Sequence, residues 1–575
     1  MSDSAPVAGS GSPVAHNRPD TTDVDRALQR QKTIEQAIAE GHDADIPSDV
    51  GYILDEAGEE KRRKSIAEQR RLSLTRKRSQ SHASARDTEK DAGTGADTAS
   101  EVKADVAVSG DETNVVWWDG EDDPANPYNW PGWIKVLNCV FISLLTLITP
   151  LGSSIFAPAV ADVMREFKSQ NLELAAFVVS VYILGFAFGP LLFAPLSEIY
   201  GRLIVYHCCN VGYIAFTVAC ALAPSLEALI VFRFLAGAFG AAPLTNGGGT
   251  IADMIVQEKR AGAMAAFSLG PLLGPIVGPI AGGFLADGKG WRWVFWVLAI
   301  LSGAITLAMM VFARESYAPL LLQRKTIRLR KETGNDLLRS KLDAGLSAKD
   351  YFARSIVRPL KMLVFSPLCA IFALYMAISY GLLYLIMTTI SDVFTRGYGF
   401  STSTVGLVFL GLGIGSLAGL VWFGVASDRE MKKLKESGVE MKPEQRLKFL
   451  PYAAILLPAG FFVYGWTAEH KVHWIVPIIS HVPLGIAMLV NFMAVGMALV
   501  DTFTLYAASA LAANTVVRSI FGAVLPLFGL RMYHNLGLGW GNTLLGFLAV
   551  AMIPVAFLIL RYGETLRTKY PIKNL

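Results

Sequence analysis

From about residue 134 to residue 561 the chain repeats one pattern: an apolar block, a short stretch of charge, glycine and proline, then another apolar block. About 20 apolar residues in a helix cross a hydrocarbon core near 30 Å. Twelve such windows can be drawn, at 134–157, 174–196, 203–223, 227–249, 261–285, 292–313, 365–390, 403–426, 448–467, 474–498, 503–528 and 541–561. Between the sixth and seventh lies a polar segment rich in Lys and Arg. Residues 1–115 lack sustained hydrophobic periodicity and mix both signs of charge, so they are expected to stay solvated as a disordered arm. The predicted fold is all-α and polytopic, with twelve transmembrane helices in two six-helix halves. The halves cover 134–314 and 365–562, joined by a basic linker over 315–364 and followed by a tail over 563–575. The stretch WWDGEDDPANPYNWPGWIK, from Trp117 to Lys135, crowds tryptophans and prolines ahead of the first block. Tryptophan favours the headgroup level, which makes 116–133 an interfacial segment.

Charge distribution orients this plan. QEKR at Gln257 to Arg260, the central linker and the run from Ser427 to Lys448 all fall on one side, whereas the opposite connections are short and nearly uncharged. Basic loops stay in the cytoplasm, so both termini are expected there. Of all residues 52% are hydrophobic and 17% charged, too apolar a balance for an ordinary soluble protein. The net charge of +4 is small, and its basic residues form no aromatic-interleaved patch, so nucleic-acid binding has no support. The five cysteines all lie in apolar segments and imply no disulfide framework. No GxxxxGK[ST] phosphate loop, HExxH or paired Cys/His spacing occurs, which argues against ATP-driven pumping, an intramembrane enzyme or a metal site. In the arm, RRKS and RRLS place Ser65 and Ser73 behind paired arginines, a pattern that basophilic kinases read; a basic tail beside an anionic leaflet is the alternative.

The two halves carry an internal repeat. The second window ends in APLSEIYGR and the eighth in GVASDRE, each with a small residue four positions before an acid. Parallel six-helix repeats place a substrate site at their interface near the midplane.

With these segments in view, the chain resembles the major facilitator superfamily, and within it the fungal twelve-span drug:proton antiporters, over roughly four fifths of its length. Glu198, Gly201 and Arg202 in GPLLFAPLSEIYGRLIVY match the acid, glycine and base of the family's loop between helices two and three. Ala194 and Ile199 depart from that pattern, while Asp428 and Arg429 keep the acid–base pair in the second half. The resemblance implies a conformational latch, since an acid and a base at adjoining helix ends can join in one state and part in another. Arg233, followed by Gly237 and Gly240, matches the arginine that the family ties to proton coupling. A central arginine in a span costs about 2.5 to 3.5 kcal/mol, although snorkelling to the nearby surface would reduce that cost. Asp253 is a second coupling candidate; Glu198, Asp428, Asp501 and Asp162 are further acids near helix ends, and none sits plainly at the midplane.

The run GPLLGPIVGPIAGG matches the antiporter signature of helix five at Gly270, Gly274, Gly278, Pro279, Gly282 and Gly283. Its glycine spacing puts one bare face along the helix for close packing, and its prolines remove backbone donors and favour bending. ARESYAPL, with Glu315, Tyr317 and Pro319, resembles the fungal group's marker and opens an amphipathic basic segment.

Polar groups inside spans should face water or pair with each other. The candidates for a substrate cavity are Thr245, Asn246, Tyr375, Tyr380, Tyr384, Asn491, Asn514 and Arg518, with Ser509 beside them. Abundant Phe, Met and Tyr suit a pliable pocket for an amphipathic molecule. The expected activity is monomeric, cofactor-free export of a drug or self-made metabolite, such as a glycolipid or organic acid, in exchange for protons. Two alternatives remain: a polyamine carrier, which would need more acids in the cavity, and a non-transporting receptor or scaffold.

Overall fold

The computed structural model describes residues 114–256, 259–343, 348–437, 442–503 and 506–570. The arm over 1–113, with Ser65 and Ser73, and residues 571–575 lie outside the described residues.

Apolar blocks become helices because a bilayer offers no water to satisfy backbone N–H and C=O groups. The first half is α1 (Gly132–Ser154), α2 (Leu172–Tyr200), α3 (Arg202–Ala221), α4 (Leu226–Met254), α5 (Ala261–Lys289) and α6 (Trp291–Phe312). The second begins with α7 (Pro367–Tyr398), α8 (Thr402–Glu436), α9 (Leu450–Glu469) and α10 (His481–Thr502). Among the described residues 11 helices are long and apolar enough to cross a membrane, and the last, Ala507–Lys569, is two spans joined at a break. Gly537 sits at that break with φ 77° and ψ 172°, which separates α11 (507–536) from α12 (538–569). The carboxylate of Glu469, at the end of α9, accepts from the N–H groups of Leu538 (2.7 Å) and Gly539 (3.2 Å) and so caps α12. The α5–α6 connection turns in the same way on Gly290, at φ 89°. Counted through the break, the spans number twelve, as the hydropathy pattern predicts.

Two segments differ from expectation. Helix α8 does not stop near 426 but continues to Glu436, because REMKKLKE is made of good helix formers that need no bilayer. The basic linker, amphipathic at its start, is structured beyond that first segment. It contains the helices Ala318–Thr333 and Ala348–Phe365, and its strand Arg339–Ser340 pairs in parallel with Val115–Val116. The interfacial segment folds onto this linker: Lys325 reaches the carboxylate of Asp119 (2.6 Å) and the Trp117 carbonyl (3.0 Å). Asp123 accepts from the N–H groups of Asp119 (2.9 Å) and Ala125 (2.8 Å), and these bonds, with Lys325 nearby, hold its carboxyl below the usual aspartate range.

Within the halves α1 packs on α5, α2 on α4, α7 on α11 and α8 on α10; between them α2 meets α11 and α5 meets α8. The inter-half polar contacts lie at mid-depth or toward the end away from the basic loops. Ser180 Oγ donates to the Ala523 carbonyl (2.8 Å), Glu173 pairs with Arg531 (2.6 Å) and Thr402 bonds Asp162 (3.4 Å).

Candidate functional site

A cavity of about 140 Å³ lies between the halves. Helices α1, α2, α4 and α5 line it from one side and α7, α8, α10 and α11 from the other. Met376, Met387, Met488 and Met493 meet Phe186, Phe492, Tyr380 and Tyr384 there, and Arg518 is the one charged residue of the lining. Flexible thioethers and rings make a wall that can repack around differently shaped apolar bodies.

Helix α5 forms part of that wall, and its composition now has a structural account. A Cβ placed on Gly270 would come within 2.7 Å of the Thr146 backbone, and one on Gly274 within 2.7 Å of the Leu151 nitrogen. Gly278 and Gly282 meet Ser154 and the Ile155 carbonyl in the same way. Glycines four residues apart therefore bring α5 backbone-to-backbone against α1, and Ser154 Oγ adds a bond to the Gly274 carbonyl (3.3 Å). Gly283 faces the other way, toward Thr402 at the start of α8, where Gly406 in turn leaves room for the Pro279 carbonyl. The prolines do not break the helix, which runs from Ala261 to Lys289; Pro271 and Pro275 present their rings to the cavity.

Arg233 of α4 is 1% exposed and does not snorkel. Its Nη2 donates to the carbonyls of Ser153 (3.3 Å) and Val179 (3.4 Å), while the rings of Phe156, Tyr182 and Phe295 stand 5.0, 5.2 and 5.7 Å from its guanidinium carbon. No carboxylate pairs with it among the described residues, and its Nε has no hydrogen-bond partner. A cation kept in this way relies on ring quadrupoles and carbonyl dipoles in place of a counter-ion.

The other coupling candidate, Asp253, lies at the far end of α4, against the loop that joins α2 to α3. Gly201 turns α2 into α3 at φ 98°, and a side chain there would collide with Glu315 and Leu320. The vacated space admits the Glu315 carboxylate, which accepts from the N–H groups of Arg202 (3.0 Å), Leu203 (2.9 Å) and Tyr317 (3.0 Å) and caps α3 from outside the helix. The Arg202 side chain donates to Asp253 (3.2 Å) and to Ser197 Oγ (2.6 Å), lies 4.8 Å from the Tyr317 ring centre and feels the charge of Glu198. Burial pushes the Tyr317 hydroxyl up to about 12. The cluster thus ties together α2, α3, α4 and the segment after α6, all within one half.

The second half builds its counterpart from Asp501, one of the acids named in the sequence, and from Arg446, which the sequence reading passed over. Asp428 and Arg429 are exposed on the extension of α8, with no ion pair among the described residues. Arg446, in the 3₁₀ turn Pro443–Phe449 before α9, instead donates to Asp501 at the end of α10 (3.1 Å) and to Ser427 Oγ (3.5 Å). Ser197, Arg202 and Asp253 therefore correspond to Ser427, Arg446 and Asp501. Aligning PLSE with VASD and extending that register through both halves would have exposed the correspondence.

Of the polar cavity candidates, Tyr380, Tyr384 and Arg518 line the cavity. Tyr384 also bonds Ser153 across the halves (3.1 Å). The rest serve helix–helix contacts or lie behind the wall. Tyr375 donates to Asn491 (3.4 Å), Asn491 to Ser379 (3.3 Å) and Asn246 to the Phe193 carbonyl (3.3 Å). Thr245 bonds back to Ala241 (2.9 Å), and Asn514 is buried one turn from Arg518 with its Oδ1 unpartnered.

Comparison with known proteins places this arrangement. Residues 142–526 match the family model of the Major Facilitator Superfamily. The "MFS-type transporter penM" of Penicillium rubens is 56% identical over 459 residues, covering 80% of this chain and 90% of that protein. The "Efflux pump radE" of Floropilus chiversii is 50% identical over 459 residues, covering 80% and 85%. In fold, the xylose transporter XylE from E. coli, in a partially occluded inward open conformation, superposes with a TM-score of 0.56 at 16% identity, covering 75% of this chain and 98% of that one. With two six-helix halves around one cavity and this family match over most of its length, the chain is a membrane transporter that belongs to the major facilitator superfamily.

Proposed function

We propose that this transporter exports an amphipathic compound in exchange for protons, by rocking its two halves about the central cavity. The observation that carries the reading is the cavity itself: apolar, rich in Met and aromatic rings, and bounded by a helix whose glycine face can slide on α1. The name of the relative radE, an efflux pump, supports the outward direction. A drug or a self-made metabolite such as a glycolipid or organic acid fits the lining. The polyamine alternative loses ground, because the lining holds a cation and no carboxylate. The intact glycine seam disfavours a receptor, which has no need of a sliding joint.

In this reading the basic loops face the cytoplasm, the carrier works as a monomer in the plasma membrane, and the contacts Glu173–Arg531 and Asp162–Thr402 close its outer end. Arg233 and Asp253 serve proton coupling: the first as a buried charge whose carbonyl contacts span α1 and α2, the second as an acid released when the Arg202 cluster opens. No cofactor is required. Reconstitution of the full chain in vesicles with an imposed pH gradient tests the proposal. Uphill movement of an amphipathic dye that stops on adding a protonophore is the expected result. Movement indifferent to the gradient defeats antiport, and no movement of any amphipath favours the receptor reading.

A further inference from the structure

We propose that the cavity is built for an amphipath bearing one negative charge, and that Arg518 is the group that receives it. The inference rests on the exporter reading and narrows its substrate class.

Arg518 stands on α11, facing the cavity, with its guanidinium carbon 5.2 Å from the Tyr380 ring centre and 5.0 Å from that of Phe492. Its Nε is buried with no hydrogen-bond partner, and no carboxylate pairs with it among the described residues. The aromatic faces offset part of the cost of burying the charge but offer no acceptor to its N–H groups. A guanidinium carries five donors in a planar fork that fits a carboxylate with two parallel bonds. Leaving those donors unmet in an apolar chamber is expensive unless a ligand meets them.

The contrast with Arg233 sharpens the assignment. Both arginines are held by rings in the membrane, but Arg233 donates to two backbone carbonyls, whereas Arg518 has no hydrogen-bond acceptor among the described residues. The remaining polar side chains of the lining are the hydroxyls of Ser268, Ser379, Ser416, Tyr380 and Tyr384. Ser268 is committed to the Met264 carbonyl (2.8 Å) and Tyr384 to Ser153 Oγ (3.1 Å), which leaves Ser379, Ser416 and Tyr380 free to turn a proton toward an anion. A cationic amphipath would meet one positive charge and no negative one. A carboxylate, phenolate or enolate on an apolar body would pair its charge with Arg518 and bury the body against the methionines.

The test uses one apolar body with three heads: pyrenebutyric acid, its primary amide, and the corresponding amine. Binding to the full chain in nanodiscs, above that to empty nanodiscs, is followed by quenching of tryptophan fluorescence. The wild type should bind the acid at least tenfold tighter than the amide, with the amine weakest. Arg518→Gln should remove the preference for the acid over the amide, and Arg518→Lys should keep part of it. Equal binding of the three heads by the wild type overturns the proposal, as does a preference that survives in Arg518→Gln or failure of all three to bind. Because binding is read without transport, a charge preference without flux would keep this inference and defeat the exporter reading. Flux without preference would do the reverse.

Discussion

The two helix-end clusters make the same connection at different depths. In the first half Arg202 and Asp253 have side chains 10% and 20% exposed, and Glu315 and Tyr317 close over them. In the second half Arg446 and Asp501 are 25% and 39% exposed. The chemistry is alike, a serine and an acid both contacting an arginine at the start of a helix. What differs is water, and with it the energy at stake when the pair breaks. A charge left alone in a buried site costs several kcal/mol, and one left alone in water costs little. The first half is thus tied as a stiff unit, while the second is held by a bond that solvent can replace.

This contrast can be broken most sharply by removing each arginine. Arg202→Ala strands Asp253 beneath Tyr317 and should lower stability by about 3 kcal/mol, the low end of the range for a broken buried pair because Asp253 keeps some exposure. Thermal unfolding of the purified carrier in detergent measures it, and a shift no larger than that of Arg446→Ala would refute the difference in depth. Next in size is Gly201→Ala, which forces a side chain into positive φ and displaces Glu315. A loss of about 1 to 3 kcal/mol is expected, together with loosening of the whole cluster. Glu315→Gln keeps the shape but removes the charge on the α3 amides and should cost about 1 kcal/mol. Faster hydrogen exchange at Arg202 and Leu203 would report it, and unchanged exchange would mean that the cap is idle. Arg446→Ala should cost about 0 to 1 kcal/mol, and that small effect should fade further in high salt.

The smallest effect belongs to a feature of the first half alone, the platform of the pre-α1 segment on the linker. Asp123 is held below the usual aspartate range by backbone N–H groups, so its contribution is complete above that range and is lost as the pH falls through the lowered native value. Asp123→Asn should therefore weaken the platform near neutral pH and leave little difference from the wild type in strong acid. Proteolysis across residues 114–130 at two pH values would follow this. A variant deficit that grows in acid would contradict the sign.

Much of the architecture was legible because hydropathy is a local property. Twelve blocks suffice to count the spans, and even the α11–α12 connection, so tight that one glycine makes it, did not hide the last two. The glycine face of α5 was legible as a surface for close approach. That α1 is its partner, and that Gly283 turns instead to α8, was not, because spacing describes one helix and a contact needs two. Glu198, Gly201 and Arg202 were legible as a motif, but Glu315 lies more than a hundred positions away and its role as a cap exists only once α6 returns the chain to α3. Asp428 and Arg429 show the opposite difficulty. They look like a copied pair, yet α8 runs on past the membrane and carries them into solvent, while Arg446 meets Asp501 across 55 positions.

By itself the sequence determined what each segment must avoid: apolar blocks must leave water, basic loops must stay on one side, and a helix studded with glycine must lie close to something. Tertiary structure decided which charges are compensated. Arg233 and Arg518 are the same residue in similar apolar surroundings; a motif sets Arg233 apart along the chain, but nothing in the sequence says which of the two has its N–H groups met. Packing gives one a pair of carbonyls and leaves the other facing an open chamber. Free energy of a buried charge depends on the partners within a few ångströms, and those partners are assembled only when distant helices meet.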